Sequence, residues 1–140
     1  MAKTYDLEFD GYWQDKNKSG LPHVPGIYCV YKGTLQPDDT VKLDKIVYIG
    51  EAEDINDRHN MKEHERYKDF VRVCGGAEHV WYNAAEVLGG ENERKRVENA
   101  LIYKLQPEIN DQGKDSFNYP TTTVNSKGKH RFIPSTFSVG

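Results

Sequence analysis

Two short β-rich segments joined by a polar connection narrow the possible folds of this chain more than anything else in it. The first, HVPGIYCVYKG, covers residues 23–33, and the second, KIVYIG, covers residues 45–50. The connection is too short for a helical crossover, so the two strands are predicted to pair antiparallel. Residues 34–44, TLQPDDTVKLD, are polar and are broken by Pro37. They predict a mobile, exposed hairpin tip.

Periodicity and chain breakers predict three further elements. The segment DINDRHNMKEHERYKDFV reads as a polar helix with Asp54 as its N-cap. EHVWYNAAEV, around Trp81, alternates as a third strand does, and the tail from Phe117 predicts a hairpin with its turn at 126–129. Together with the helix before Pro107, the order β-β-α-β-α with a β tail indicates an α/β (α+β) sandwich around a small, largely antiparallel sheet.

A helix predicted within residues 96–110, RVENALIYKLQPEIN, carries a carboxylate on its apolar face. Glu98 lies in the middle of that face, with aliphatic residues three, four and seven positions further along. Pro107 then ends the helix. An ionised carboxylate in such a position is costly unless something pairs with it, so Glu98 needs a partner in the folded protein.

Length and composition exclude several classes of protein. With 140 residues and 36% hydrophobic content, the chain is expected to form one domain, 1–140. No apolar run approaches a membrane span, no secretory signal layout is present, and the two cysteines stand far apart, which favours a reducing cytoplasm. The five histidines make no paired zinc-ligand spacing with those cysteines. The net charge of −3 means that any nucleic-acid contact must come from a local patch.

An ordered set of residues resembles the GIY-YIG nucleases, which include homing endonucleases, restriction enzymes and the endonuclease subunit of bacterial nucleotide excision repair. The match covers about residues 22–112 and consists of GIY at 26–28, YIG at 48–50, Arg58, His64, Glu98, Pro107 and Asn110. Residues 1–21 then form an N-terminal extension and residues 113–140 a C-terminal β tail. The resemblance implies a small three-stranded antiparallel sheet flanked by helices, with an additional C-terminal hairpin.

The resemblance also implies a function, which is metal-dependent hydrolysis of phosphodiester bonds in duplex or branched DNA. Glu98 would bind one Mg²⁺ or Mn²⁺, since a carboxylate is a hard ligand suited to these ions. Tyr28 would be the general base, Tyr48 would hydrogen-bond the nucleophile or the phosphate, and Arg58 would hold phosphate oxygens as charge develops. The substrate-binding surface would be completed by Gly50, Lys62, His64 and Asn110.

Each of these assignments has a simpler alternative. Glu98 can instead pair structurally with Arg58 or a tyrosine hydroxyl, the tyrosines can be ordinary strand residues, and Arg58 can be a solvated helix residue. The acidic stretch 51–54 would repel a phosphate backbone unless it faces away or binds metal. A non-catalytic GIY-YIG-fold module that binds nucleic acid or protein is therefore the second candidate, and recruitment of an enzyme by a partner protein is a third possibility.

Basic residues that can contact DNA gather in two places. One group lies on the first predicted helix, where acidic residues interrupt it, and the other lies in the tail. Both groups can also be ordinary solvated surface. The members are Arg58, Lys62, Arg66, Lys68 and Arg72 in the first group and Lys127, Lys129 and Arg131 in the second.

The nuclease hypothesis makes a geometric prediction that a structure can test. Tyr28, Tyr48, Arg58 and Glu98 should converge on one concave surface. A structure that places Glu98 on a solvent face far from both tyrosines would contradict the hypothesis.

Overall fold

The computed structural model describes residues 1–140 and is built around one curled, six-stranded mixed sheet that forms a half-barrel. The sheet order is β3-β2-β4-β1-β5-β6. Three α-helices and two short 3₁₀ segments, Asp15–Gly20 and Ala77–His79, complete the chain. The strands are β1 (Lys3–Gln14), β2 (Gly26–Leu35), β3 (Val41–Ala52), β4 (Val80–Glu86), β5 (Thr122–Gly128) and β6 (Thr136–Val139). The helices are α1 (Ile55–Asn60), α2 (Tyr67–Cys74) and α3 (Glu91–Leu105).

The predicted three-stranded sheet is wrong, because β1, β5 and β6 belong to the same sheet as the three expected strands. β1 pairs antiparallel with β4 and parallel with β5. Its sequence alternates buried Tyr5, Leu7 and Phe9 with exposed acidic residues, which is the pattern of a half-buried strand. The segment expected as an N-terminal extension therefore supplies an interior strand, and the C-terminal hairpin extends the sheet beyond it.

The expected hairpin between the first two strands is confirmed. β2 and β3 pair antiparallel, and both strands run further than the sequence predicted. Residues 36–40 close the hairpin, with the Gln36 amide donating to the Thr40 carbonyl at 2.7 Å. This tip is largely exposed, as predicted. Its mobility stays a prediction.

The predicted polar helix after Asp54 is present as two shorter helices, α1 and α2. Asp54 is the N-cap, as predicted, and its carboxylate accepts the Asp57 amide at 2.9 Å. The chain breaks between the helices because His64 turns inward, and its Nδ1 accepts the Arg66 amide at 3.0 Å. The His64 side chain thus accepts a hydrogen bond from a backbone N–H that would bond to a backbone carbonyl in a continuous helix.

The helices cover opposite faces of the sheet. α3 packs Val97, Ala100 and Leu101 against one face, in a core that includes side chains of β1 and β5. α1 and α2 pack Ile55 and Phe70 against the other face. No helix combines the length and the apolar composition needed to cross a membrane.

The outer edge of β3 is covered by the chain that follows α3. Ile109 donates its amide to the Val47 carbonyl at 2.9 Å. The Asn110 side chain then bonds both the amide and the carbonyl of Ile49, each at 2.9 Å. These bonds satisfy main-chain groups that an edge strand would otherwise leave open, and they tie the end of α3 to the YIG segment.

The place of β1 in the core can be tested with one substitution. Phe9 is 1% exposed, so Phe9→Ala should lower the free energy of unfolding by about 3–5 kcal/mol. Urea denaturation followed by circular dichroism measures this. Asp10→Ala, at an exposed position of the same strand, is the control and should change stability by less than about 0.5 kcal/mol. Equal stabilities for the two variants would contradict an interior β1.

Candidate active site

The GIY and YIG segments place Tyr28 against Gly50. The two residues lie directly opposite each other across β2 and β3. A Cβ atom at Gly50 would collide with the hydroxyl and ring of Tyr28, so only glycine leaves room for the phenol here. Tyr48 lies beside it, with ring centroids 6.4 Å apart. Tyr28 is 1% exposed, whereas Tyr48 is partly open to solvent.

His64 fixes the Tyr28 hydroxyl. Its Nε2 lies 2.8 Å from the Tyr28 oxygen, and its Nδ1 accepts the Arg66 amide. Burial lowers the pKa of His64 to about 4, so the ring is neutral near pH 7. Because Nδ1 is an acceptor, the proton must sit on Nε2, and His64 donates to Tyr28. The Tyr28 proton is thereby left free to point elsewhere.

The electrostatics of both tyrosines favour the neutral phenol. Burial, followed by the neighbouring Tyr48, holds the pKa of Tyr28 well above its ordinary value. Burial and the charge of Glu98 likewise raise the pKa of Tyr48. Arg58 acts in the opposite direction on both. The cation of Arg58 is therefore close enough to the two hydroxyls to influence their protonation.

The sequence interpretation missed His59, which is buried against the same tyrosine. Its ring lies edge-on to Tyr28 at 4.4 Å and stacks with His64 at 5.4 Å between centroids. Neither ring nitrogen has a hydrogen-bond partner, and burial lowers the pKa of His59 to about 3. The sequence did contain a signal for this burial. His59 follows the apolar Ile55 by four residues, so the two side chains lie on the same face of α1.

Arg58 is engaged by a carboxylate other than the one that the sequence suggested. Its Nη2 bonds both carboxylate oxygens of Glu65 at 2.5 Å. This bond lowers the pKa of Glu65 to about 2. The ion pair leaves Glu98 without Arg58 as a partner, so the structural pairing of those two residues is not formed.

Glu98 is a half-buried carboxylate that makes no ion pair and no hydrogen bond to another side chain, and its one hydrogen-bonding contribution comes from the main chain of Glu51. Burial, and then the nearby carboxylate of Glu51, raise its pKa to about 7. Glu98 lines a cavity of about 520 Å³ together with Tyr48 and Glu65. The Glu51 main chain and the charge of Lys95 act in the opposite direction but do not offset burial, so Glu98 has no ion-pair partner within the protein.

The acidic stretch beside the site is divided rather than uniformly exposed. Glu51 turns towards α3, where Arg94 donates to it at 2.8 Å, and both side chains are largely buried. Asp54 caps α1 and lies 3.1 Å from the ring of His23. With Asp57 these two form an exposed cluster whose potential ligand atoms lie within 4.8 Å of one another. The cap and the histidine contact account for that arrangement without a metal ion.

The remaining predicted substrate-binding residues fall into different settings. Asn110 is buried, and its amide is committed to the backbone of Ile49. Lys62 is exposed in the α1–α2 connection and lines, with Arg58, a second opening of about 920 Å³. His64 has a nearly fully buried side chain and contacts Tyr28, which places it behind the surface where a phosphate would lie.

The structure places the four predicted catalytic residues near one another around β3, but not on one concave surface as predicted. Tyr48 and Glu98 line one cavity, Arg58 lines the neighbouring opening, and Tyr28 is buried beside Tyr48 and lines neither. Their catalytic roles stay predictions.

The chain is similar in sequence to part of a known protein. Two curated relatives, both UvrABC system protein C and both from strains of Halobacterium salinarum, are 30% identical to it over 116 residues. The aligned segment is 83% of this chain and 18% of each relative, so the chain spans less than a fifth of their length. No family model and no solved structure matches it.

The environment of Glu98 predicts an unusual pH dependence of stability. A carboxyl whose pKa is raised from 4.5 to about 7 on folding stabilises the protein at low pH, and this contribution is lost as the pH rises through 7. In EDTA, Glu98→Gln should therefore be more stable than the wild type above about pH 7, by roughly 1–3 kcal/mol, and not below about pH 4. Thermal melting over this range, with urea titrations at each end, measures the difference.

The control for this experiment is Glu53→Gln, which removes an exposed carboxylate without an ion pair. Its stability should follow that of the wild type at every pH. Added Mn²⁺ should raise the melting temperature of the wild type and leave Glu98→Gln unchanged. A Gln variant that melts far below the wild type would mean that Glu98 has a protein partner after all.

Proposed function

We propose that this chain is a GIY-YIG endonuclease that hydrolyses DNA phosphodiester bonds with the help of one divalent cation. The observation that carries the proposal is Glu98, a half-buried carboxylate without an ion-pair partner that lines one cavity with Tyr48. The ordered GIY and YIG segments and the similarity to UvrABC system protein C support it.

The donor set at this cavity suits a hard divalent ion. Glu98 would hold the cation, and Glu51 is close enough for its charge to raise the pKa of Glu98. Glu51 is already paired with Arg94, so it would act on a bound cation through its charge alone, and a cation at Glu98 would favour the ionised form of that carboxyl. When bound, Mg²⁺ or Mn²⁺ would stabilise negative charge on the scissile phosphate and on the leaving oxygen.

Tyr48 is the tyrosine that substrate reaches first in this arrangement. Its ring is partly exposed in the cavity of Glu98, so its hydroxyl can donate to a phosphate oxygen or to the attacking water. Tyr28 lies deeper, and we assign it the role of base. Two contacts favour its phenolate: the Nε2–H of His64, which donates to the oxygen, and the charge of Arg58.

Arg58 would change partner when DNA binds. Phosphate would compete with Glu65 for the guanidinium, since both are oxyanions that can present two oxygens to the donors of Arg. Glu65 is 64% exposed and free to move away. Release of the ion pair would bring the guanidinium to the substrate beside Lys62 and would open the surface next to Tyr28.

A non-catalytic binding module is the second candidate. It is favoured because two of the site residues are not free to engage a substrate in this structure. Tyr28 is 1% exposed, and Arg58 is already neutralised by Glu65. A module of this kind would bind DNA or a recruiting protein without needing an ionised Tyr28 or a metal at Glu98. The two candidates differ in whether any bond is cut.

A cleavage assay tests the proposal. Plasmid, single-stranded and branched DNA are incubated with the protein in Mg²⁺, Mn²⁺ or EDTA, and products are resolved on gels. Cutting should require the metal. Glu98→Gln and Tyr28→Phe should each lower the rate by about 10²-fold or more, because one removes the charged ligand and the other the base.

Matched controls separate chemistry from folding in this assay. Asp10→Asn removes an exposed carboxylate of β1 that makes no ion pair and Tyr103→Phe removes an exposed hydroxyl, and both should cut like the wild type. Melting curves identify any variant that fails to fold. Metal-dependent cutting that survives Glu98→Gln would remove the basis of the proposal, and DNA binding without cutting on any substrate would favour the binding module.

A further inference from the structure

The segment of residues 129–133, between β5 and β6, is held rigidly by buried polar groups. The Lys129 amide donates to the Phe9 carbonyl at 2.8 Å, and the Lys129 carbonyl accepts a hydrogen bond from the side-chain amide of Asn83 at 2.9 Å. The Arg131 carbonyl accepts the Tyr31 hydroxyl, and its amide donates to the Tyr12 hydroxyl, both at 2.9 Å. Asn83 and Tyr31 are fully buried. The backbone of this connection is therefore fixed by the core.

This backbone holds an aromatic side chain at the surface in a strained conformation. Phe132 has φ 69°, in the left-handed region that bulky residues rarely adopt. Its ring is 42% exposed, while the next residue, Ile133, is buried. Such strain persists only where surrounding structure enforces it, and it concentrates at functional positions.

The charged side chains around Phe132 are positive, and none of them forms an ion pair. The guanidinium of Arg131 lies 4.8 Å from the ring centroid of Phe132. Neither Arg131 nor Lys129 has a carboxylate within ion-pair distance, whereas four other arginines do: Arg58, Arg66, Arg72 and Arg94. The adjoining hollow of about 480 Å³ has no acidic lining residue. In a chain of net charge −3 this is a local cationic surface.

We propose that this surface binds a single-stranded segment of nucleic acid. An unpaired base stacks on the platform formed by Phe132 and Arg131, and Lys129 and Arg131 contact the phosphates beside it. The proposal rests on the function proposed above, in that the chain acts on DNA. A single exposed aromatic ring between cations suits a base and its phosphates, whereas a stable protein interface needs a larger apolar core.

The surface is separate from the candidate active site. Ile133 and Tyr31 belong to the core beneath α3, while Tyr28 belongs to the core beneath α1 and α2. The segment leaves β5 and crosses the α3 side of the sheet, where it contacts Asn83 of β4 and Tyr31 of β2. Nucleic acid held here would therefore lie on the face of the sheet opposite Tyr28.

Binding can be measured independently of cleavage. Fluorescence anisotropy of a labelled oligothymidine is recorded in EDTA, with every variant made in the Glu98→Gln background so that no cutting occurs. Phe132→Ala should weaken binding by about 10- to 100-fold, the loss expected for one stacked base. Phe132→Trp should retain the affinity. Lys129→Gln and Arg131→Gln should each reduce the slope of log K against log salt by about 0.7.

Three variants control for folding and for non-specific charge. Phe132→Gly removes the ring but suits the left-handed backbone, so it should lose affinity without loss of thermal stability. Leu88→Ala removes an apolar side chain that is 70% exposed elsewhere, and Lys42→Gln removes an exposed, unpaired cation. Both should bind the oligonucleotide within about twofold of the background protein, the margin expected for surface changes of about 0.5 kcal/mol.

The result that overturns this proposal differs from the one that overturns the nuclease proposal. If the Phe132, Lys129 and Arg131 variants bind like the controls, or if the background protein does not bind oligothymidine at low salt, the surface has no such role even where the wild type cuts DNA. If Phe132-dependent binding is present and no substrate is ever cut, the surface assignment holds and the nuclease assignment fails.

Discussion

The packing of the Tyr28 phenol over Gly50 is the contact on which the candidate site depends. It joins the two tyrosine motifs across neighbouring strands, and the missing Cβ leaves the hydroxyl room to reach His64 at 2.8 Å. His64 can take that position because the chain breaks between α1 and α2, with Nδ1 replacing a helical acceptor for the Arg66 amide. The GIY and YIG motifs and the break between α1 and α2 therefore meet at one buried atom, the hydroxyl oxygen of Tyr28.

Around this arrangement the neighbouring carboxylates form ion pairs, with the exception of Glu98. Arg58 is taken by Glu65 and Arg94 by Glu51, while Asn110 ties the end of α3 to β3. Glu98, on α3, has no such partner, and burial together with the charge of Glu51 raises its pKa to about 7. A cation beside it would favour the ionised carboxylate, which is the basis of the proposed metal site. This reasoning from the structure agrees with the direction of the sequence resemblance.

The enlarged sheet carries the two proposed surfaces on opposite faces. The tyrosines and Glu98 surround the β3 edge, and the cationic segment 129–133 lies on the α3 side, where it bonds Tyr31 and Asn83. β1 makes this possible, because it pairs with β4 on one side and with β5 on the other. The pieces outside the resembling region are thus integral to the fold rather than appended to it.

What the sequence by itself determined is local. The antiparallel hairpin of β2 and β3, the third strand at Trp81, the Asp54 cap and the end of the Glu98 helix before Pro107 were all predicted, because alternation, turn residues and caps act between near neighbours. The approximate grouping of the site followed from motif order. The alternation of Tyr5, Leu7 and Phe9 is also a local strand pattern, but β1 was not predicted from it, because the resemblance makes residues 1–21 an extension outside the fold.

Only the tertiary structure decided the rest. Lys3 pairs with Thr122, and no local pattern specifies a partner over such a separation, so the six-stranded sheet was not predicted. The choice of Glu65 for Arg58, the burial of His59 and His64 and the lack of an ion-pair partner for Glu98 depend on which side chains meet once the sheet is assembled. Pairing and burial are properties of the whole packed chain, since hydrogen bonds and desolvation respond to distance in space and not to distance along the sequence.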